Sequence, residues 1–407
     1  MDTIINMKKQ NEKRGQFLSA VEQPRILAYY PEMLKITEYE VLGNLPDPFL
    51  FDDGKRVKTK SDWDKRRKEI YKTAIELQYG TQPPKPEFLE VETLYTAKDV
   101  GTYLIHTGKR NNEVSFRMHV LMPQNIEGKS PFIISGDQCW KYHMSKEYID
   151  SALNKGIGWV FFDRTELAHD IYRDTRGNGA LFKLYPEYTF GALGAWAWGY
   201  SRCVDALEIL DLPVDYRYLT FTGHSRGAKT CALAGALDER AQIVNPNETC
   251  AGACGCYRIH MKGIYENGKE ARSETLKDLL NNFDFWMGPD LKEYSEKEAE
   301  LPFDTHFLKA MIAPRTLFVS EAAGDLWANP VGSYQTTVAA KEVFDFLGVP
   351  DNLYWYYRPG FHAHDISDVQ MLVNIIKHKQ TNEPISERMF VLPFEKPEKI
   401  YTWQAPC

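Results

Sequence analysis

The sequence predicts an α/β protein with a doubly wound, mostly parallel sheet and helices on both faces, which is a three-layer sandwich. Continuous apolar runs such as residues 131–135 and 158–162 are typical of central parallel strands that are buried on both faces. Segments of helical periodicity separate these runs, and such alternation indicates a parallel sheet. The predicted strands cover residues 114–122, 131–135, 158–162, 218–222, 242–244, 316–320 and 353–357.

The predicted helices and domain limits follow from the same pattern. Residues 61–79 begin with a capping serine, carry apolar residues at helical spacing and are followed by the prolines of 83–86, while residues 191–210 form a strongly helical stretch. Within the 407 residues, the range 45–400 is interpreted as a single domain. Residues 1–44 are expected to form an N-terminal extension or a helix packed on the outside. The polar and aromatic stretch 257–305 is expected to be an insertion between strands.

Composition excludes several classes of protein. The net charge of −7 argues against a non-specific nucleic-acid binder, which needs a basic face. No window approaches the roughly 18 apolar residues of a membrane span. The first residues lack the apolar run of a signal peptide, and seven cysteines suggest no disulfide framework. We therefore expect a cytoplasmic protein without membrane or nucleic-acid partners.

The strongest chemical signal is Gly223-His224-Ser225-Arg226-Gly227, a G-x-S-x-G motif between a predicted strand and a helix. A serine nucleophile must project from a sharp strand-to-helix turn, and small residues two positions before and after it let the strand and helix pack closely. The helix N-terminus also offers backbone N–H groups to a developing oxyanion. The motif in this context predicts an α/β-hydrolase with Ser225 as its nucleophile.

A serine nucleophile also needs a histidine base and an acid that orients it. In this fold both follow the serine along the chain, the acid first. Asp325 comes after the predicted strand 316–320, and His362 and His364 come after strand 353–357. A base must come within hydrogen-bond reach of the Ser225 hydroxyl, so only one of the two histidines can serve in that role.

The chain resembles the glucuronoyl esterases, carbohydrate esterases that cleave 4-O-methyl-glucuronoyl esters. The resemblance runs from about residue 45 to residue 376, and its most specific segment is the elbow, for which the family pattern reads G-C-S-R-x-G-K. His224 stands at the position of the family cysteine, and Ala228 replaces a glycine. The segments that carry the resemblance are 45–49 with the helix of Trp63, 191–208, 223–229, 245–248, 312–315, 324–330 and 358–362.

The resemblance implies roles for residues at the matching positions. Arg226 matches an arginine that helps to hold the oxyanion. Lys229 matches a lysine that hydrogen-bonds a hydroxyl of the uronate ring, and Trp327 is a further candidate for substrate binding. Glu248 matches the acid of fungal members and Asp325 that of bacterial members; both are present, and we favour Asp325.

The family register also bears on the choice of base. The spacing from Arg358 through His362 to Asp368 matches the bacterial pattern without a gap, which favours His362. His364 is the alternative, because the base of fungal members directly precedes the residue that aligns with Asp365.

The sequence thus predicts a serine esterase that acts on a small-molecule or oligosaccharide ester, most simply a glucuronoyl ester, without an organic cofactor or a metal. The C-x3-C-x-C run of Cys250, Cys254 and Cys256 lacks the fourth ligand of a zinc site. Two alternatives stay open: an acetyl or general acyl esterase on short sugars, and a non-catalytic scaffold that keeps the pocket. The sequence leaves the oligomeric state undetermined.

Overall fold

A computed structural model describes residues 34–124, 127–140 and 145–406. The strands are β1 (Leu34–Val41), β2 (Phe88–Ala97), β3 (Val100–Lys109), β4 (Asn112–Leu121), β5 (Phe132–Ser135), β6 (Gly158–Phe162), β7 (Thr220–His224), β8 (Ile243–Asn247), β9 (Ile259–Tyr265), β10 (Glu270–Arg272), β11 (Thr316–Ala322) and β12 (Leu353–Arg358). From β4 to β8 and in β11 and β12, the strands follow the predicted alternation. The helices are α1 (Lys60–Ile70), α2 (Leu77–Tyr79), α3 (Lys146–Leu153), α4 (Ala180–Leu184), α5 (Ala192–Leu210), α6 (Arg226–Leu237), α7 (Leu276–Phe283), α8 (His306–Ala310), α9 (Pro330–Leu347) and α10 (Ile366–Thr381).

Nine strands form one sheet in the order β12-β11-β8-β7-β5-β6-β4-β3-β2. The six from β12 to β6 are mutually parallel, whereas β4, β3 and β2 add an antiparallel edge. The predicted α/β class and mostly parallel sheet are confirmed. In the predicted helix 61–79, a π-helical turn at Tyr71–Glu76 joins α1 to α2.

The central strands bury alternate side chains in two separate cores. In β6, Val160 and Phe162 belong to the core that contains α5 and α6, and Trp159 and Phe161 to the one that contains α3 and α10. Because successive side chains of a strand point to opposite faces, a fully apolar strand needs a helical layer on each side. This arrangement explains both the continuous apolar runs of the sequence and the three layers.

A second, three-stranded antiparallel sheet joins the start of the described chain to the predicted insertion. β1 and β10 pair with the two sides of β9. Leu34–Val41 is therefore a strand and not the helix that was one of the two expectations for residues 1–44. The free edge of β9 offers this segment a row of backbone partners. Residues 1–33 lie outside the described part. Within that part, no helix is both long enough and apolar enough to cross a bilayer.

Candidate active site

Ser225 occupies the turn between β7 and α6, as the G-x-S-x-G motif predicts. Its backbone has φ +57° and ψ −121°, a conformation that a residue with a side chain rarely adopts. The Ser225 N–H donates a hydrogen bond to the carbonyl oxygen of Asn247 on the neighbouring strand (2.9 Å). Strand pairing thus holds the serine in its strained turn, with its half-buried side chain at the start of the helix.

The two glycines of the motif are required by close contacts. A Cβ on Gly223 would lie 2.3 Å from the carbonyl oxygen of Gly227, where strand and helix meet. A Cβ on Gly227 would lie 1.9 Å from Oδ1 of Asp137. Asp137, which follows β5, uses its other oxygen to accept a hydrogen bond from the His224 N–H (2.7 Å). A side chain at position 227 would therefore displace the carboxylate that braces the elbow.

A chain of buried charges connects this brace to Arg226. Arg164 contacts Asp137, and its second nitrogen donates to Asp170 (3.1 Å). Asp170 in turn accepts a hydrogen bond from Arg226 (3.0 Å), whose guanidinium lies 4.7 Å from the centre of the Trp286 ring. Sequence reasoning missed Asp137, Arg164 and Asp170. The signal that could have identified Asp137 and Arg164 is their position just beyond the ends of the parallel strands β5 and β6.

His362 contacts both candidate acids through the same nitrogen. Its Nδ1 lies 2.5 Å from Oδ2 of Asp325 and 3.3 Å from Oε2 of Glu248. Its ring centre is 4.5 Å from that of His224, which directly precedes Ser225, and 40% of its side chain is exposed. Burial lowers the pKa of His362, but the carboxylate of Asp325 outweighs this effect, with help from Glu248, so the pKa is raised. The structure therefore brings the predicted base beside the elbow.

Glu248 is fully buried and engaged by other groups. It pairs with Arg358, and its Oε2 accepts a hydrogen bond from the Ala363 N–H (3.1 Å). Arg358 also donates to Asp368 (2.8 Å). Burial raises the pKa of Glu248, and the Arg358 guanidinium only partly offsets that rise. Asp325 thus makes the closer contact with the imidazole, while Glu248 also fixes the backbone of the histidine loop.

His364 lies in a different environment from His362. It is buried, and its Nδ1 is 3.1 Å from the hydroxyl of Tyr148. Its ring stacks at 5.8 Å from that of His224. Both rings thus lie beside His224, but His364 contacts Tyr148 whereas His362 contacts Asp325 and Glu248.

The two candidate substrate-binding residues are linked through Glu274, which sequence reasoning did not identify. Lys229 is buried on α6, where its Nζ donates to Ala251 O and lies 3.0 Å from Oε2 of Glu274. The Glu274 N–H donates to the carbonyl oxygen of Trp327 (3.1 Å), whose side chain is 37% exposed. Burial raises the pKa of Glu274 against the opposing effect of Lys229. Nothing in the local sequence distinguishes Glu274 from the other acidic residues of the insertion.

The fold and this arrangement of a serine elbow with a histidine–carboxylate pair define an α/β-hydrolase of the serine type. The chain belongs to the glucuronoyl esterase family. Residues 105–348 match the family model described as glucuronyl esterase of fungi. A 4-O-methyl-glucuronoyl methylesterase of Podospora anserina is 31% identical over 328 residues, covering 80% of this chain. The chain spans 64% of the length of that relative.

Solved structures share the fold of this chain. A carbohydrate esterase family 15 glucuronoyl esterase from Caldicellulosiruptor kristjansonii is 29% identical, with a TM-score of 0.78 over 90% of this chain and 98% of that one. The glucuronoyl esterase catalytic domain from Hypocrea jecorina, 23% identical with a TM-score of 0.73, covers 91% of this chain and 98% of its own and shares the fold.

Proposed function

We propose that the chain is a serine carboxylic-ester hydrolase that acts on carbohydrate esters, specifically glucuronoyl esters. The observation that carries the proposal is the contact of His362 with Asp325 beside the strained elbow of Ser225. The names of the relatives supply the substrate class, since the Podospora anserina protein is a 4-O-methyl-glucuronoyl methylesterase.

The proposed reaction follows from the geometry. With the Nδ1 proton directed at Asp325, the Nε2 of His362 takes the hydroxyl proton of Ser225 as Oγ attacks the ester carbonyl. The backbone N–H groups at the start of α6 and the charge of Arg226 stabilise the oxyanion. His362 then protonates the leaving alcohol, and water, activated by the same histidine, releases the uronic acid from the serine. The carboxylates stabilise the imidazolium at both steps.

A turnover panel tests the substrate class. Methyl and benzyl esters of glucuronic acid are compared with acetylated xylo-oligosaccharides and p-nitrophenyl acetate. We expect the highest kcat/KM for the uronate esters. Faster release of acetate from the xylo-oligosaccharides would instead favour an acetyl esterase, and an absence of turnover together with no labelling of Ser225 by a serine-directed probe would favour a non-catalytic scaffold.

The cytoplasmic location stays a prediction that cell fractionation can test.

Replacement of Lys229 is expected to raise KM for uronate esters much more than KM for p-nitrophenyl acetate. Only the sugar offers hydroxyl groups to the Lys229–Glu274 pair, of which Lys229 lies one turn of helix beyond the nucleophile. Because Lys229→Ala alone would leave the buried carboxylate of Glu274 without its partner, the double variant Lys229→Met/Glu274→Gln is measured beside it. Equal losses on both substrates in both variants would assign the pair a purely structural role.

Asp325→Asn is expected to lower kcat by about 10⁴, more than Glu248→Gln does. Asp325 is the closer carboxylate, whereas Glu248 also pairs with Arg358. Since Asp325 raises the pKa of His362, the acidic limb of the pH–rate profile should move to lower pH in Asp325→Asn. The dependence of kcat/KM on pH, measured for both variants, shows which carboxylate orients His362. A greater loss in Glu248→Gln would assign the orienting role to Glu248.

A further inference from the structure

Three side chains at the elbow offer metal-binding atoms to one another. One nitrogen each of His224 and His362 and one oxygen of Glu248 all lie within 4.8 Å of one another. We infer that these residues form an inhibitory site for a divalent transition metal. Two imidazoles and a carboxylate suit Zn²⁺, Ni²⁺ or Cu²⁺ rather than Mg²⁺ or Ca²⁺, which prefer oxygen ligands.

The orientation of His224 is fixed by its neighbours. The amide nitrogen of Asn247 donates to Oγ of Ser320 (2.9 Å), so its carbonyl oxygen faces Nδ1 of His224, 2.6 Å away. That contact directs Nδ1 at Asn247, and we assign Nε2 as the nitrogen that would bind the metal. Metal-binding histidines are commonly held in this way by a hydrogen bond from the other ring nitrogen.

The spacing of the other two donors fits a tetrahedral ion. Nδ1 of His362 and Oε2 of Glu248 are 3.3 Å apart. Two ligands at zinc bond lengths of 2.0–2.1 Å are separated by about 3.3 Å. Asp325, whose Oδ2 lies 2.5 Å from Nδ1, is too close to that nitrogen to bind the same ion in this position, so the fourth ligand would be water.

The local charges also favour a cation. Three carboxylates, those of Glu248, Asp325 and Asp368, surround the loop, and Arg358 is the guanidinium that pairs with two of them. A metal ion at this position takes the place of the proton between His362 and its carboxylates. It therefore removes the base from catalysis, and binding releases that proton.

Zinc titration of the Ser225→Ala protein tests the site without any need for turnover. Isothermal calorimetry is expected to show one bound Zn²⁺ per chain, with binding about 10–100-fold weaker or worse in Ser225→Ala/His224→Gln, because even outer-shell changes cost that much. Ser225→Ala/Glu248→Gln should show a similar loss. In the wild type, zinc should inhibit ester hydrolysis over the same concentration range, and EDTA should restore it.

The matched control is His106→Gln in the Ser225→Ala background. His106 is another histidine between two carboxylates, Glu92 at 3.2 Å and Glu113 at 3.6 Å, but it lies on β3. Its loss should therefore leave the affinity of the elbow site for Zn²⁺ unchanged. Melting temperatures show whether each variant is folded. The inference would be overturned by unaltered zinc affinity in the folded His224→Gln and Glu248→Gln double variants, or by a lack of saturable zinc binding to Ser225→Ala. Zinc binding to the wild type without inhibition of hydrolysis would also overturn it. A wild type that turns over no ester but still binds zinc would refute the proposed function alone.

Discussion

Ser225→Ala is expected to lower kcat for uronate esters by on the order of 10⁶, the loss that accompanies removal of a triad nucleophile. Every step of the proposed reaction passes through a bond to Oγ, and no neighbouring hydroxyl of the elbow can replace it. The variant should stay folded, because Ser225 is held by its backbone N–H and its side chain is only half-buried. Steady-state turnover and thermal melting measure the two effects separately.

The control is Ser201→Ala, a half-buried serine on α5, which should keep wild-type turnover. Retention of near wild-type kcat by folded Ser225→Ala would refute the nucleophile, and with it the acyl-enzyme mechanism. Loss of folding in Ser225→Ala would show that the strained turn depends on the side chain. In that event Ser225→Cys and a covalent serine-directed probe would test the nucleophile.

His362→Gln should lose about as much activity as the nucleophile variant, since residues of a triad act as a unit. Its matched partner is His364→Gln, two residues away in the same loop. His362 contacts both carboxylates, whereas His364 is buried against Tyr148. We therefore expect His364→Gln to keep its turnover and the acidic limb of its pH–rate profile. An inactive, folded His364→Gln beside an active His362→Gln would reverse the assignment.

The sequence predicts the parallel half of the sheet well, for a physical reason. Strands such as β5 and β6 are buried on both faces, so almost every residue in them is apolar and the run is easily recognised. The antiparallel hairpin of β2 and β3 was missed, because most of β2 is exposed and its composition resembles a polar loop. A strand at the edge of a sheet is stabilised by backbone pairing, which leaves little trace in side-chain composition.

The sequence also predicts the candidate site unevenly. The turn at Ser225 can be recognised from five residues, because Gly223 lets the strand and helix of the motif itself pack closely. Asp170 and Glu274 act through partners far along the chain, 56 positions from Arg226 and 45 from Lys229. Charge pairs of this kind are fixed by tertiary packing. For the same reason the sequence contains two candidates for the orienting acid, and the distances from His362 to their carboxylates show that Asp325 is the closer one.

Ser225, Glu248, Asp325 and His362 all lie just beyond the carboxyl ends of four adjacent strands, β7, β8, β11 and β12. Their spacing depends on that hydrogen-bonded ladder, whereas β2 and β3 lie at the opposite edge of the sheet. The turn at residues 98–99, between β2 and β3, is therefore a suitable attachment point for engineering. A fused binding module or an immobilisation tag there would change where the protein is held without disturbing the alignment of the four side chains.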